Sequence, residues 1–107
     1  MKTPLLHLLK DGQLLPEGDI APSGSAQFIH LCTVEQVAGV RERFFDGGPV
    51  LVLVLAPERL EGDVRWEDSY GHGLFPHLYG KISDTAVIRR VHLAAEADPK
   101  EVLTPRD

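Results

Sequence analysis

Residues 50–56 read VLVLVLA, an unbroken run of valine and leucine closed by alanine and flanked by Pro49 and Pro57. A strand that alternates apolar and polar residues can leave one face in water. A continuous run of this length cannot, so 50–56 is predicted to be a strand buried on both faces. The rest of the chain has to supply that cover.

The segments on either side supply candidates. Residues 4–9 (PLLHLL) read as a short first strand interrupted only by His7, and 27–31 as a second around His30. Between them, 10–25 is a long loop rich in Gly, Pro, Asp and Ser, of a length that compact domains reserve for function or motion. The strongest local signal is a helix over 34–45. Thr33 is a good N-cap, Gln36 completes a capping box, and Val34, Val37, Val40 and Phe44 recur at helical spacing. Glu35, Arg41 and Glu42 then face water, and Gly47 and Gly48 stop the helix. Beyond 50–56 come a connector at Pro57–Leu60 and two strand-like segments, 63–69 and 73–80, around the turn YGHG. Pro76 assigns the second of these to an edge or a bulge, because it lacks a backbone donor. SDTA at 83–86 is a capped turn and 87–93 the last strand. Residues 94–107 have little to bury and read as a poorly ordered tail. This order predicts a single α+β domain over 1–93, a small mixed or antiparallel sheet packed with one main helix at about 34–45.

Bulk properties narrow the function classes. The 107 residues carry a formal net charge of −5 with Lys and Arg scattered, which argues against an extended nucleic-acid surface. The single cysteine, Cys32, excludes an intrachain disulfide and a cysteine-rich zinc site, and fits a reducing cytoplasm. The N-terminal apolar patch is broken by Pro4, His7 and Lys10, unlike a secretion signal, and Pro49–Pro57 is far too short to span a membrane. A cytoplasmic protein is expected.

The chemistry-bearing residues are His7, His30, Glu67, His77 and Tyr79. Any one histidine in an apolar strand can be a core polar group bonded to a carbonyl. Three on separate apolar segments point to a shared pocket, because each unsatisfied buried group costs on the order of 1–3 kcal/mol. Glu67, in VRWED, shares a strand face with Arg65 while Trp66, read as core, takes the other. Glu67 is either part of a charged surface face or a carboxylate at the pocket mouth. Tyr79 is equally a wall or a buried hydroxyl. No histidine sits at a spacing that preorganises metal ligands, so no metal is assigned. Cys32 reads as buried and inert, and the start of the 34–45 helix favours a phosphate or carboxylate.

The blocks PLLHLL, FIHLCTVEQV, LVLVLAPERL, VRWED and LFPHLYG occur in an order that resembles the small bacterial domain-of-unknown-function family 952 over about residues 4–93. That family's fold is similar to ADP-ribosyltransferases, a split α+β sheet with a nicotinamide-dinucleotide cleft. The resemblance implies that His7 holds a ribose and that the pocket blocks fall at His30, Thr33, Gln36, Glu67, His77 and Tyr79. HLCT replaces the family's HCST, Gln27 replaces a glycine, and the segment after the first strand is shortened. The roles expected are catalytic for Glu67, His30 and His77 and ligand-binding for His7, Thr33, Gln36 and Tyr79. Two functions fit: a transferase-like enzyme acting on a nucleotide or ADP-ribosyl compound, with NAD or an ADP-ribose-like ligand, or a non-catalytic binding module for a small anionic or nucleotide metabolite. A third reading is a structural domain whose histidines are only core polar groups.

Overall fold

The computed structural model describes residues 3–12, 18–22, 25–69 and 71–104. Most of the shortened segment after the first strand (13–17), together with 23–24 and Tyr70, lies outside them. The described strands are β1 (Leu5–Lys10), β2 (Ile29–His30), β3 (Val50–Leu55), β4 (Glu61–Asp68), β5 (Leu74–Lys81) and β6 (Val87–Leu93). The helices are α1 (Val37–Phe45) and α2 (Pro99–Leu103). The strands form two antiparallel three-stranded sheets, ordered β1-β3-β6 and β2-β5-β4.

The VLVLVL run explains this layering. All six β3 residues are buried, in the centre of their sheet. Val50, Val52 and Val54 face the helical side, packing with Leu6, Leu8, Val34, Val37 and Leu103. Leu53 and Leu55 face the other way, against Ile29, Leu31, Leu78 and Ile82 beneath the second sheet. Each fully buried Val or Leu contributes roughly 1.5–3 kcal/mol, so this one strand carries on the order of 10 kcal/mol of the burial term.

The helix occupies the expected 34–45, but its first turn is a tighter 3-10 turn, Val34–Gln36, running into α1. The Thr33 N–H donates to Gln36 Oε1 (3.0 Å), the Gln36 half of the capping box. The left-handed stop begins at Asp46 (φ 52°) and continues at Gly47 (φ 69°), whose N–H donates to the Arg41 carbonyl (3.0 Å).

Three expectations are corrected. Pro76 does not sit on an edge: β5 is the central strand of its sheet, paired along its full length with β4. The Pro76 carbonyl accepts from Leu31 N–H (3.0 Å), so antiparallel alternation turns its missing donor toward Leu31 as well. Pairing fails there instead of in β5. β2 is therefore two residues long, and the chain crosses at Cys32 to pair with Leu6 of β1 through two 2.8 Å bonds. Trp66 is half exposed, because β4 is an outer strand and the core under that face ends at Val64 and Leu78. Finally, part of the expected tail is structured. Asp98 caps α2 by accepting from Lys100 N–H (3.0 Å), Leu103 is buried in the core, and the Arg41 guanidinium donates to the Ala94 and Ala97 carbonyls. No described helix is long and apolar enough to cross a membrane.

Candidate functional site

The two sheets meet where β2 leaves β5 for β1, and the histidines gather at that junction. His30 and His77 are direct cross-strand partners. Because the bonded Leu31–Pro76 pair lies next to them, theirs is a non-hydrogen-bonded position, where side chains stand closest. Their ring centroids are 5.1 Å apart, edge to face. The same alternation turns the His30 carbonyl away from β5, and His7 of β1 takes it: His7 Nδ1–H donates to His30 O (2.9 Å). A carbonyl only accepts, so this bond fixes the proton on Nδ1 and leaves Nε2 as a lone-pair acceptor in the neutral ring.

The register of β4 on β5 puts Glu67, Arg65, Phe75, His77 and Tyr79 on one face. There Glu67 Oε1 accepts from both Tyr79 OH (2.7 Å) and His77 Nδ1–H (2.9 Å). These bonds, the Tyr79 hydroxyl first and His77 second, hold the Glu67 carboxyl below the usual carboxylate range, and Glu67 in turn raises the Tyr79 phenol. The Arg65 guanidinium lies 4.3 Å from the Tyr79 ring centroid. His77 is 3% exposed, and among the described residues its Nε2 has no hydrogen-bond partner. Burial lowers the His7 and His30 imidazoles, and for His30 the neighbouring His77 adds to the effect. Burial also pushes the Cys32 thiol up to about 12, as an inert core thiol requires.

Two cavities open beside this cluster, and His7 and His30 line both. One, of about 270 Å³, lies toward α1 and includes Arg43, Ser69 and Phe75; the other, of about 410 Å³, includes Asp19, Pro22 and Phe28. His77, Glu67 and Tyr79 stand behind His30 and Phe28 and line neither. Thr33 and Gln36 are occupied elsewhere: Gln36 caps the turn and its Nε2–H donates to the Leu74 carbonyl (2.7 Å), tying α1 to β5. With the Thr33 donor already bonded and Glu35 in the first turn, the helix start is a poor anion site.

Phe28 was absent from the expected set. Its ring stacks on His77 (4.1 Å, 14°) and meets the edge of His30 (4.9 Å, 72°). The signal was available, since Phe28 precedes His30 by two residues and shares its strand face. Arg43 was also missed, and nothing in the helical spacing marks it. Among the described residues no group of three or more His, Cys, Asp and Glu side chains is placed to hold a metal ion.

The fold and the cluster together define a small α+β domain with a Glu–His–Tyr network under a histidine-lined cleft. The profile of the family described as "Protein of unknown function (DUF952)" matches residues 10–90, and the chain belongs to that family. His7 lies three residues before the match begins. The chain is similar to the crystal structure of protein CC0527 from Caulobacter crescentus, with 29% identity, 91% of each chain covered and a TM-score of 0.69. A double-methionine variant of that protein gives 28% identity and the same TM-score. No curated protein gives a significant match.

Proposed function

We propose that this domain is a small cytoplasmic, transferase-like enzyme that handles a nucleotide or ADP-ribosyl compound in the cleft lined by His7 and His30. The observation that carries the reading is the state of His77. One ring nitrogen is fixed by an ionised carboxylate, while the other is buried without a partner among the described residues. An unpaired buried polar atom costs about 1–3 kcal/mol, which a purely structural core avoids by using an apolar side chain. A base that receives a substrate proton by way of His30, whose ring stands 5.1 Å away on the cavity wall, accounts for it, and the Glu67 bond supplies the orientation such a base needs. In this reading Glu67 holds His77, Tyr79 steadies Glu67, and His30 stands between His77 and the ligand. The split into two three-stranded sheets with the cluster at their junction supports an ADP-ribosyltransferase-like arrangement, by analogy of fold alone.

A non-catalytic binding module for a small anionic or nucleotide metabolite is the second reading. It is favoured by one specific fact: neither His77 nor Glu67 lines either cavity.

The test begins with thermal shift against NAD, ADP-ribose, AMP and inorganic phosphate. A stabilising ligand then enters turnover assays with the wild type and Glu67→Gln. An enzyme whose base depends on Glu67 loses about a hundredfold or more in turnover while keeping most of its binding. Binding with no wild-type turnover selects the second reading, and no shift with any of the four ligands removes both.

A further inference from the structure

The cavity toward α1 contains a cation that the histidine cluster does not explain. Arg43 projects from α1 with its guanidinium carbon 5.9 Å from the Phe44 ring centroid and 5.8 Å from that of Phe75. Arg41 and Arg59 donate to carbonyls, and Arg65 and Arg90 lie near carboxylates. Arg43 and Arg89 have no oxygen partner among the described residues, and of the two only Arg43 lines this cavity. Among the described residues the other polar lining groups are the His7 and His30 imidazoles and Ser69, with no carboxylate, although the chain carries a net charge of −5. A cleft whose described lining carries a guanidinium and no carboxylate, in an acidic protein, complements an anion.

We infer that this cavity binds a phosphomonoester attached to a flat apolar body, with the Arg43 guanidinium on the phosphate and Phe44 and Phe75 against the ring. A guanidinium meets phosphate through two parallel hydrogen bonds, and its contacts with the two aromatic rings hold it ready to do so. His7 adds selectivity. Its Nδ1–H is committed to the His30 carbonyl, so its Nε2 accepts from a hydroxyl, as on a ribose or a singly protonated phosphate. Size sets the upper limit. At about 270 Å³ the cavity falls just below the roughly 300–1,000 Å³ usual for drug-sized ligands, which suits a mononucleotide and not an intact dinucleotide. The nucleotide part of this assignment rests on the function proposed above; the Arg43–phosphate contact does not.

The experiment is titration calorimetry with phenyl phosphate, AMP and adenosine against the wild type, Arg43→Gln and Arg43→Lys, after melting curves confirm that each variant folds. Phenyl phosphate and AMP should bind the wild type, weaken tenfold or more in Arg43→Gln and recover partly in Arg43→Lys, with any adenosine binding unchanged. In the wild type alone, raising salt from about 0.05 to 0.5 M should weaken the two phosphates and spare adenosine. Arg43-dependent binding of phenyl phosphate without AMP binding keeps the anion site and rejects the nucleotide reading. AMP binding that ignores both Arg43→Gln and salt keeps the nucleotide reading and overturns the Arg43 assignment. No binding of either phosphate to the wild type overturns the inference outright.

Discussion

Replacing Gly80 with alanine is expected to cost about 3 kcal/mol or more and to pull β4 away from β5. Gly80 faces Gly62 across the two strands, and neither position has room for a side chain. A Cβ on Gly80 would lie 1.8 Å from the Glu61 carbonyl oxygen and 2.8 Å from Gly62 Cα. One on Gly62 would lie 2.2 Å from the Tyr79 carbonyl oxygen, at a φ of +112° that L residues rarely adopt. The obstacles are backbone atoms, so no rotamer change relieves them and the strands must separate. Tyr79 is the adjacent residue, so its bond to Glu67 should fail together with the Lys81–Asp19 ion pair (3.2 Å). Gly71 is the control. It also has a positive φ (+77°), but open space surrounds it, so Gly71→Ala should cost only the left-handed backbone penalty of about 1–2 kcal/mol. For a domain of this size each kcal/mol moves the melting temperature by roughly 4–8 °C. Thermal denaturation should place Gly80→Ala well below Gly71→Ala, and equal melting temperatures would refute the close approach.

The features legible from sequence are those decided by neighbours along the chain. The 50–55 run forces burial on both faces whatever covers it. Thr33 with Gln36, and Asp46 with the following glycines, set the helix bounds through local hydrogen bonds and φ preference. What sequence left open depends on partners far away. Pro76 could be read only as missing a donor; that the gap falls opposite Leu31, where β2 leaves the sheet, follows from the register of three strands. Leu103 has only Val102 beside it in a polar stretch and shows no period, yet the space between the Val34–Gln36 turn and the β3 valines accepts it. Trp66 looked like core for the opposite reason, since its size promises burial that an outer strand does not provide.

The site follows the same division. Alternation along FIH and FPHLYG shows which side chains share a face, enough to group Phe28 with His30, and Phe75 with His77 and Tyr79. It does not show that Glu67 bonds both His77 and Tyr79, because that requires the β4–β5 pairing. Nor does it reveal Arg43, which reaches the cleft only once α1 lies beside β1 and β5. Thr33 and Gln36 show the converse. Their place in a recurrent block suggests a ligand, but Thr33 and Gln36 form the capping box and Gln36 anchors α1 to Leu74, so a structural role explains both positions without one.

Acidification from pH 7.5 to 5 is expected to lower the melting temperature, and His7 is the main source. In the unfolded chain its imidazole titrates near the ordinary value of about 6.5. In the fold, burial between the sheets lowers it, against the smaller opposing effect of the His30 carbonyl. The unfolded state therefore binds the proton first. Stability is complete above about pH 6.5 and declines as pH falls from there toward the folded-state value. His30 acts in the same direction but more weakly, because its side chain is more exposed and solvent screens it. The nearby carboxylates do not share this window. Asp19, held low by the Asp84 N–H and Lys81, and Glu67, held low by Tyr79 and His77, both titrate below the ordinary carboxylate range and so below this window. His7→Asn removes the titrating ring and can keep a donor for the His30 carbonyl, so its melting temperature should change less between pH 7.5 and 5 than the wild type's. If both proteins lose stability in parallel across that range, the His7 ring is not the group that takes the proton. A phosphate bound in the adjoining cavity should reverse the sign locally: near pH 6 one proton is shared between the His7 Nε2 and a phosphate oxygen, so phenyl phosphate should bind the wild type more tightly near pH 6 than at pH 8. That dependence should shrink in His7→Asn, because the anion and the folded core place opposite demands on the same ring.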